Sequence, residues 1–541
     1  MKHIKLIVSA ACLGGAMLLN SGCKKYLDIN TNPNVTQDVL AEQLLPSAQI
    51  FIGSAVGVDL QVNGSFWAQY WTQSPASSQY KIYDRYSPTS SSYDRVWSLI
   101  YSSALSDLNQ LEKKGLATKE LQYVGVAKVL KAYAFQIAAD GWGDVPFSEA
   151  LKGLPEDGGI TAPVYDKQAA VYDGIAKLIQ EGRALLENAE TNHLSVSGDL
   201  IYHGDLAKWQ QFANTLELKL FLRLSEKDPA KAQAGVTNIM TQAAAGAGFI
   251  DETSDAMISY SATAGNQNPL YSEMAGLNRV QNIVGSKTVI DSMNANTDLR
   301  VEVFFNPINT GAYVGIAQGN YTISSSTQVS IPNASTAADV STAYGLSTSP
   351  VAPVKFISSY ESYFLQAEAA ARGWGTGNAK NLFENGIAAS FAAYGAAFDH
   401  LEEVLIDTPD GINGVPLIVP IMVSAATATD LYLNGISTDS GVAVDPAYWG
   451  QFPTTGTVQQ KVRHIITQKW FSMTGNQGFE AWTEWRRTGY PSWFTVSAQS
   501  AIGSTPAAFP RTFFYPDVEV QRNLKFPGQK VITDRVYWDI H

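Results

Sequence analysis

The chain has 541 residues, 45 % of them hydrophobic and including 12 Trp, 25 Tyr and 22 Phe, a globular composition with enough apolar material for a large core. A formal charge of −12 without any Lys/Arg cluster argues against nucleic acid as a partner. Only two cysteines occur, Cys12 and Cys23, so no disulfide framework is expected.

The first element is a leader. Lys2 and Lys5 precede an apolar run over residues 7–19, too short to span a bilayer, and Cys23 follows it. This layout predicts a lipoprotein signal peptide over residues 1–22, with Cys23 as the acylated first residue of the mature chain. Asn20 stands where a branched aliphatic is usual, and the alternative is an ordinary signal peptide cut elsewhere. Cleavage before Cys23 removes Lys2 and Lys5 as its only charged residues and takes the formal charge from −12 to −14. A triacyl anchor buries several chains at about 0.8 kcal/mol per CH₂, which suffices for stable attachment. No later apolar stretch is long enough to cross a membrane, so attachment is by lipid alone. Residues 23–45, rich in Asn, Asp, Thr and Pro near their start, read as a tether and first loop.

From residue 46 onward the pattern is a single, mainly α domain. Val96, Leu99, Ile100, Ala104, Leu108 and Leu111 recur at helical spacing, and Gly115 marks a stop. Residues 118–139 continue as a second helix that ends on the turn-rich "DGWGDVP". Val171, Ile175, Leu178, Ile179 and Leu186 mark the third helix, and Trp209, Phe212, Ala213, Leu216, Leu220 and Leu224 the fourth. A third pair covers residues 360–375 and 378–395, where Ala367, Ala369, Ala370 and Ala371 permit close helix approach. A fourth covers residues 459–473 and 478–487. Helical hairpins of this plan resemble tetratricopeptide units separated by long insertions. The largest insertion runs over about residues 261–355, with the breaks "SATAGNQNP" and a Ser/Thr/Ala-rich stretch at 322–350.

Catalytic motifs are missing. The six histidines include no H-E-x-x-H and no pair three or four apart, so neither a metal nor a cofactor is expected. Walker A, G-x-S-x-G and G-x-G-x-x-G are absent. Residues 407–414, "DTPDGING", read as a plain turn, since Pro409 and Gly411 replace calcium ligands. Carboxylates are plentiful, and a glycosidase needs only two at a suitable separation. A lipid-anchored (α/α)-barrel glycan hydrolase or lyase therefore remains an alternative.

Aromatic clusters are the better lead. Trp67, Tyr70 and Trp71 would share one helical face, for which core packing is the commoner use. Tyr80, Tyr83 and Tyr86 alternate with Gln79, Lys81, Asp84 and Arg85 in a Ser/Pro-bounded loop. That mixture suits a sugar, whose C–H faces stack on rings while its hydroxyls hydrogen-bond to polar groups. In "FEAWTEWRRTGYPSWF", Trp482 and Trp485 share a helix face, and Arg486 and Arg487 could pair with Glu480 or Glu484 or cap carbonyls; here structural use is favoured.

Five pieces in order, "CKKYLDINTNPN", "DGWGDVPFSEAL", "YFLQAEAAARGW", "FEAWTEWRRTGYP" and "YPDVEVQRN…VYWD", resemble the SusD/RagB family of Bacteroidota outer-membrane lipoproteins, in its SusD-like branch. The resemblance implies a SusD-like fold with four tetratricopeptide-like hairpins as scaffold and irregular loops inserted. It also implies a non-enzymatic protein that binds oligosaccharides, or sometimes peptides, and passes them to a SusC-like TonB-dependent transporter. Lys24 and Lys25 replace acidic residues common in surface-export signals, although Asp28 follows. The shared motifs are scaffold motifs and do not specify the ligand. The expected ligand contacts are Trp67, Trp71, Tyr80, Tyr83 and Tyr86, with Asn268 and Tyr271 from the insertion. A shallow aromatic platform of this kind would bind at micromolar to millimolar strength, about −4 to −8 kcal/mol.

Overall fold

The computed structural model describes residues 39–188, 190, 194–274, 279, 282–333, 349–394, 401–406, 417–422, 424–434, 449–505 and 507–541. The signal peptide, Cys23 and the turn at 407–414 lie outside them.

Four helical hairpins form the body, near the places the apolar spacing predicts, although the first helix follows helical turns at Asp94–Trp97 and Ser98–Ala104 and runs past Gly115 to Thr118, where Lys119 turns left-handed. They are Leu105–Thr118 with Leu121–Trp142, Gln168–Glu187 with Leu206–Arg223, Ser359–Ala371 with Ala379–Ala392, and Val458–Ser472 with Gly478–Thr488. Their starts have local causes. Asp205 accepts hydrogen bonds from the backbone N–H groups of Ala207 and Lys208, and Asn378 from those of Lys380 and Asn381. Thr457 and Gln460 make a reciprocal capping box. Gly489, at φ 71°, ends the last hairpin in the left-handed conformation that glycine adopts without strain.

A long helical segment precedes these hairpins and begins inside the stretch read as a tether. Ala41–Ser54 continues through a π-helical stretch, Ala55–Asp59, into Leu60–Trp67. Its last part is buried all round, Gln61 and Asn63 included, so it has no apolar stripe to read in sequence. Two glycines explain how it packs. A Cβ on Gly64 would lie 2.2 Å from the Phe479 nitrogen, and one on Gly478 2.5 Å from the Ser65 nitrogen. The two backbones therefore touch, and the Gly478 N–H donates to Gln61 Oε1 at 2.9 Å. The helix stops because Gln69 turns left-handed, at φ 58°. Trp71 consequently begins a strand and does not share a helical face with Trp67.

Charged side chains, all buried, tie the hairpins together. The Lys219 ammonium lies 3.0 Å from Glu361 and 2.9 Å from Glu480. Arg223 pairs with Glu480 at 2.8 Å and with Glu484. Arg487 bridges Glu368 at 2.7 Å and Glu484 at 2.6 Å. Arg486 instead donates to the Asp140 and Arg511 carbonyls, with its guanidinium 3.5 Å from the centre of the Trp482 ring. Both uses foreseen for the arginine pair thus occur, and Arg487 makes both, since it also donates to the Leu222 carbonyl at 3.3 Å. Burial alone would raise Glu480, but Arg223, Lys219 and Lys469 hold it down to about 2.

The strands are short and paired in twos. Trp71–Gln73 pairs antiparallel with Ile283–Gly285, Val145–Pro146 with Tyr165–Asp166, Ala256–Ile258 with Val354–Ile357, and Leu401–Ile406 with Leu417–Met422. The first ribbon brings the insertion onto the aromatic loop at 74–86 and thereby places the candidate site.

Candidate functional site

The end of the first ribbon is fixed from both sides. The Ser74 N–H donates to the Asn282 carbonyl at 3.0 Å, and Gly285 N–H donates to Ser330 O at 2.8 Å. Gln69 adds a cross-tie, since its amide donates to Thr495 O at 2.6 Å and its carbonyl accepts from the Thr288 hydroxyl at 2.6 Å. Gln73 reaches back over the loop, its Oε1 accepting from the Tyr80 N–H at 2.7 Å. Loop 74–86 is closed at its far end by Asp84. Asp84 Oδ2 accepts from the Thr72 hydroxyl at 2.8 Å, Gln73 N–H at 3.2 Å and Gly319 N–H at 3.1 Å. Burial pushes its carboxyl up to about 6, against the lowering effect of these three bonds.

Next to this loop is a cleft of about 590 Å³, lined by residues 74–76, Val284, residues 306–309, residues 325–329 and Ile331. Its volume is that of a small-molecule site. Asn306, Asn309, Ser325, Ser326, Thr327 and Gln328 supply amides and hydroxyls, while Pro75, Pro307 and Ile308 supply apolar surface.

The expected ligand contacts divide into two groups. Trp67, Trp71, Tyr86 and Asn268 are buried in the interior. Trp67 is 2 % exposed, packs edge-on against Trp482 at 4.8 Å, and donates its indole N–H to the Tyr83 carbonyl at 3.1 Å. Trp71 lies in the ribbon opposite Gly285. The Tyr86 hydroxyl accepts from Ser497 N–H at 3.2 Å. Asn268 caps the helix Pro269–Met274, accepting from the Leu270 and Tyr271 N–H groups while its amide donates to Ala352 O. Aromatic density in a sequence does not distinguish an inward ring from an outward one, and here the inward use prevails.

Tyr80, Tyr83 and Tyr271 are half-buried. The Tyr80 and Tyr83 rings are 6.5 Å apart with an interplanar angle of 20°, both resting on Phe66. Burial pushes Tyr80 up to about 12, and Glu273 adds to the rise. Glu273 shares a short helix with Tyr271, so the structure brings this helix beside the Tyr80–Tyr83 pair. Arg95 joins the two sides, at 2.8 Å from Glu273 and 3.3 Å from Asp59. Asp59 is raised to about 6, first by burial and against the pull of Arg95.

Tyr321 was not foreseen. It lies under the Lys81 ammonium, 4.9 Å from ring centre to nitrogen. The available signal was its position just before the Ser/Thr-rich stretch. Among the described residues there is no group of three or more His, Cys, Asp or Glu side chains placed to hold a metal ion.

Comparisons with known proteins bear on this arrangement. The SusD-like family described as starch-binding, associating with the outer membrane, matches residues 33–516. The chain belongs to this family. Among solved structures, a chitin-binding protein is similar at 23 % identity and a TM-score of 0.71, over 93 % of this chain and 100 % of its own. A chitin-binding SusD homologue from Flavobacterium johnsoniae has 22 % identity and a TM-score of 0.68, over 91 % and 98 %. A SusD homologue from Bacteroides uniformis has 22 % identity and 0.68, over 93 % and 100 %. These likenesses establish the SusD-like, mainly helical fold. No curated protein matches the chain. No helix among the described residues is long and apolar enough to cross a membrane.

Proposed function

We propose that this SusD-like chain is an outer-membrane lipoprotein, anchored through Cys23, that binds oligosaccharides and delivers them to a SusC-like TonB-dependent transporter without breaking a bond. The observation that carries the reading is the cleft beside loop 74–86. It combines uncharged hydrogen-bonding groups with Pro and aliphatic surface, as recognition of a polyhydroxylated ligand requires. Its described lining contains no carboxylate or imidazole, so it offers no general acid or base for glycoside hydrolysis. Two of the similar structures are of chitin-binding proteins, which agrees with a glycan as ligand. In this reading the half-buried Tyr80, Tyr83 and Tyr271, on the adjoining loop and helix, are further ligand contacts, whereas the buried Trp67, Trp71, Tyr86 and Asn268 belong to the scaffold.

The test is a panel of glycans and peptides against the full chain purified in detergent, by affinity electrophoresis with analysis of products. Binding of at least one glycan with no products supports the reading. Released products, or binding of peptides alone, contradict it.

A further inference from the structure

The kind of glycan is written in the charges around the cleft. None of its described lining residues is ionisable, although the chain as a whole carries a formal charge of −12. Of the cations on the flanking elements, Arg85 and Arg279 are outside the lining, and two others are engaged. Lys81 sits over the Tyr321 ring, and Arg95 is shared between Asp59 and Glu273. The neutral polar groups of the cleft are in the opposite condition. Gln328 Oε1 accepts from the Asn309 N–H at 3.2 Å, whereas the side-chain amides of Asn306 and Asn309 and the hydroxyls of Ser325 and Thr327 make no hydrogen bond among the described residues.

An anion entering this cleft would lose water and gain no opposite charge, and it would approach a protein of its own sign. A neutral polyol carries no charge to strand or repel, and the water it sheds is replaced by hydrogen bonds to the cleft. Its hydroxyls can both donate to the amide carbonyls and accept from the amide N–H groups, which is how Asn and Gln match a hydroxyl.

We propose, on the basis of the glycan-binding reading above, that this cleft selects uncharged glycans and rejects those bearing uronate or sulfate groups, with Asn306 and Asn309 as contact residues.

The experiment is calorimetry on the full chain in detergent with malto-, cello- and chito-oligosaccharides, set against oligogalacturonates and sulfated oligosaccharides of the same length, each at about 50 and about 500 mM NaCl. The expected result is binding of a neutral glycan that changes less than about twofold with salt, and acidic glycans at least about tenfold weaker. Asn306→Ala and Asn309→Ala, whose side chains hold nothing in the fold, should each weaken the neutral ligand about 2- to 12-fold. Circular dichroism checks that both variants are folded. Acidic glycans binding as well as neutral ones, or a steep loss of affinity with salt, would overturn the selectivity, and unchanged affinity in both variants would overturn the contact assignment, each while leaving glycan binding intact. Peptide binding with no glycan bound would overturn the reading beneath it as well.

Discussion

Asp84 is buried with no ion pair among the described residues, and it clamps the aromatic loop to the insertion. Asp84→Asn and Asp84→Ala separate what its charge does from what its hydrogen bonds do. The amide oxygen in the variant Asp84→Asn can take the place of Oδ2 and keep the bonds from Thr72, Gln73 and Gly319. Its NH₂ group then lies where Oδ1 is, facing only the long 3.5 Å contact from the Gln318 amide. Asp84→Ala strands two backbone N–H groups, at about 1–3 kcal/mol each. The charge adds a dependence on pH. A folded-state value of about 6 against an ordinary 3.8 means that the folded chain binds the proton more tightly than the unfolded one. The stability from that proton is present in full below the ordinary value and is lost as pH rises through the folded one. Between about pH 4.5 and about pH 7.5 the loss is about 2 kcal/mol, at 1.36 kcal/mol per unit. Asp84→Asn has no such term. Relative to wild type it should therefore gain about 2 kcal/mol in urea unfolding on going from about pH 4.5 to about pH 7.5, and at the higher pH it should equal or exceed wild type. Asp84→Ala should be the less stable variant at both. The reasoning is refuted if Asp84→Asn is as unstable as Asp84→Ala at the higher pH and its difference from wild type does not move with pH.

Removing Arg487 by Arg487→Leu leaves Glu368 and Glu484 buried with less positive charge, and should cost about 3–5 kcal/mol in urea unfolding. Gly64→Ala drives a methyl into the Phe479 backbone and should cost about 1–3 kcal/mol or more, with a matching fall in Tm by calorimetry. In acid the trend of Asp84 reverses. Glu480, lowered to about 2, stabilises the fold above its ordinary 4.5 and loses that contribution as pH falls through its folded value, so unfolding followed by circular dichroism should set in at low pH and be blunted in Glu480→Gln.

The parts of the fold legible in sequence are those with local signatures. The four hairpins show helical spacing, turn residues at their ends and, for the last, a glycine stop at Gly489. The helical segment at 41–67 lacks these, because Pro46 interrupts its start and its later residues are buried on every side. The site is harder to read for the same reason. Tyr80, Tyr83 and Tyr86 could be singled out as rings among polar neighbours, yet only Tyr80 and Tyr83 are half-buried while Tyr86 is interior. Trp67 and Trp71 have the same composition around them, yet their surroundings come from distant segments: Trp482 against one, Gly285 beside the other. Residues 74–76 and 306–331 meet through a ribbon joining positions more than two hundred residues apart in sequence, a juxtaposition that no window of the chain contains. Asn306 and Asn309 look like ordinary loop residues until that ribbon forms.

The measurement that tests the account most directly is a crystal structure of the chain with the tightest neutral oligosaccharide from the binding panel. The account predicts intact sugar rings in the cleft between residues 306–309 and 325–331, within hydrogen-bond distance of Asn306 and Asn309. An empty cleft with sugar bound elsewhere, or a cleaved glycan beside a pair of carboxylates, would contradict it.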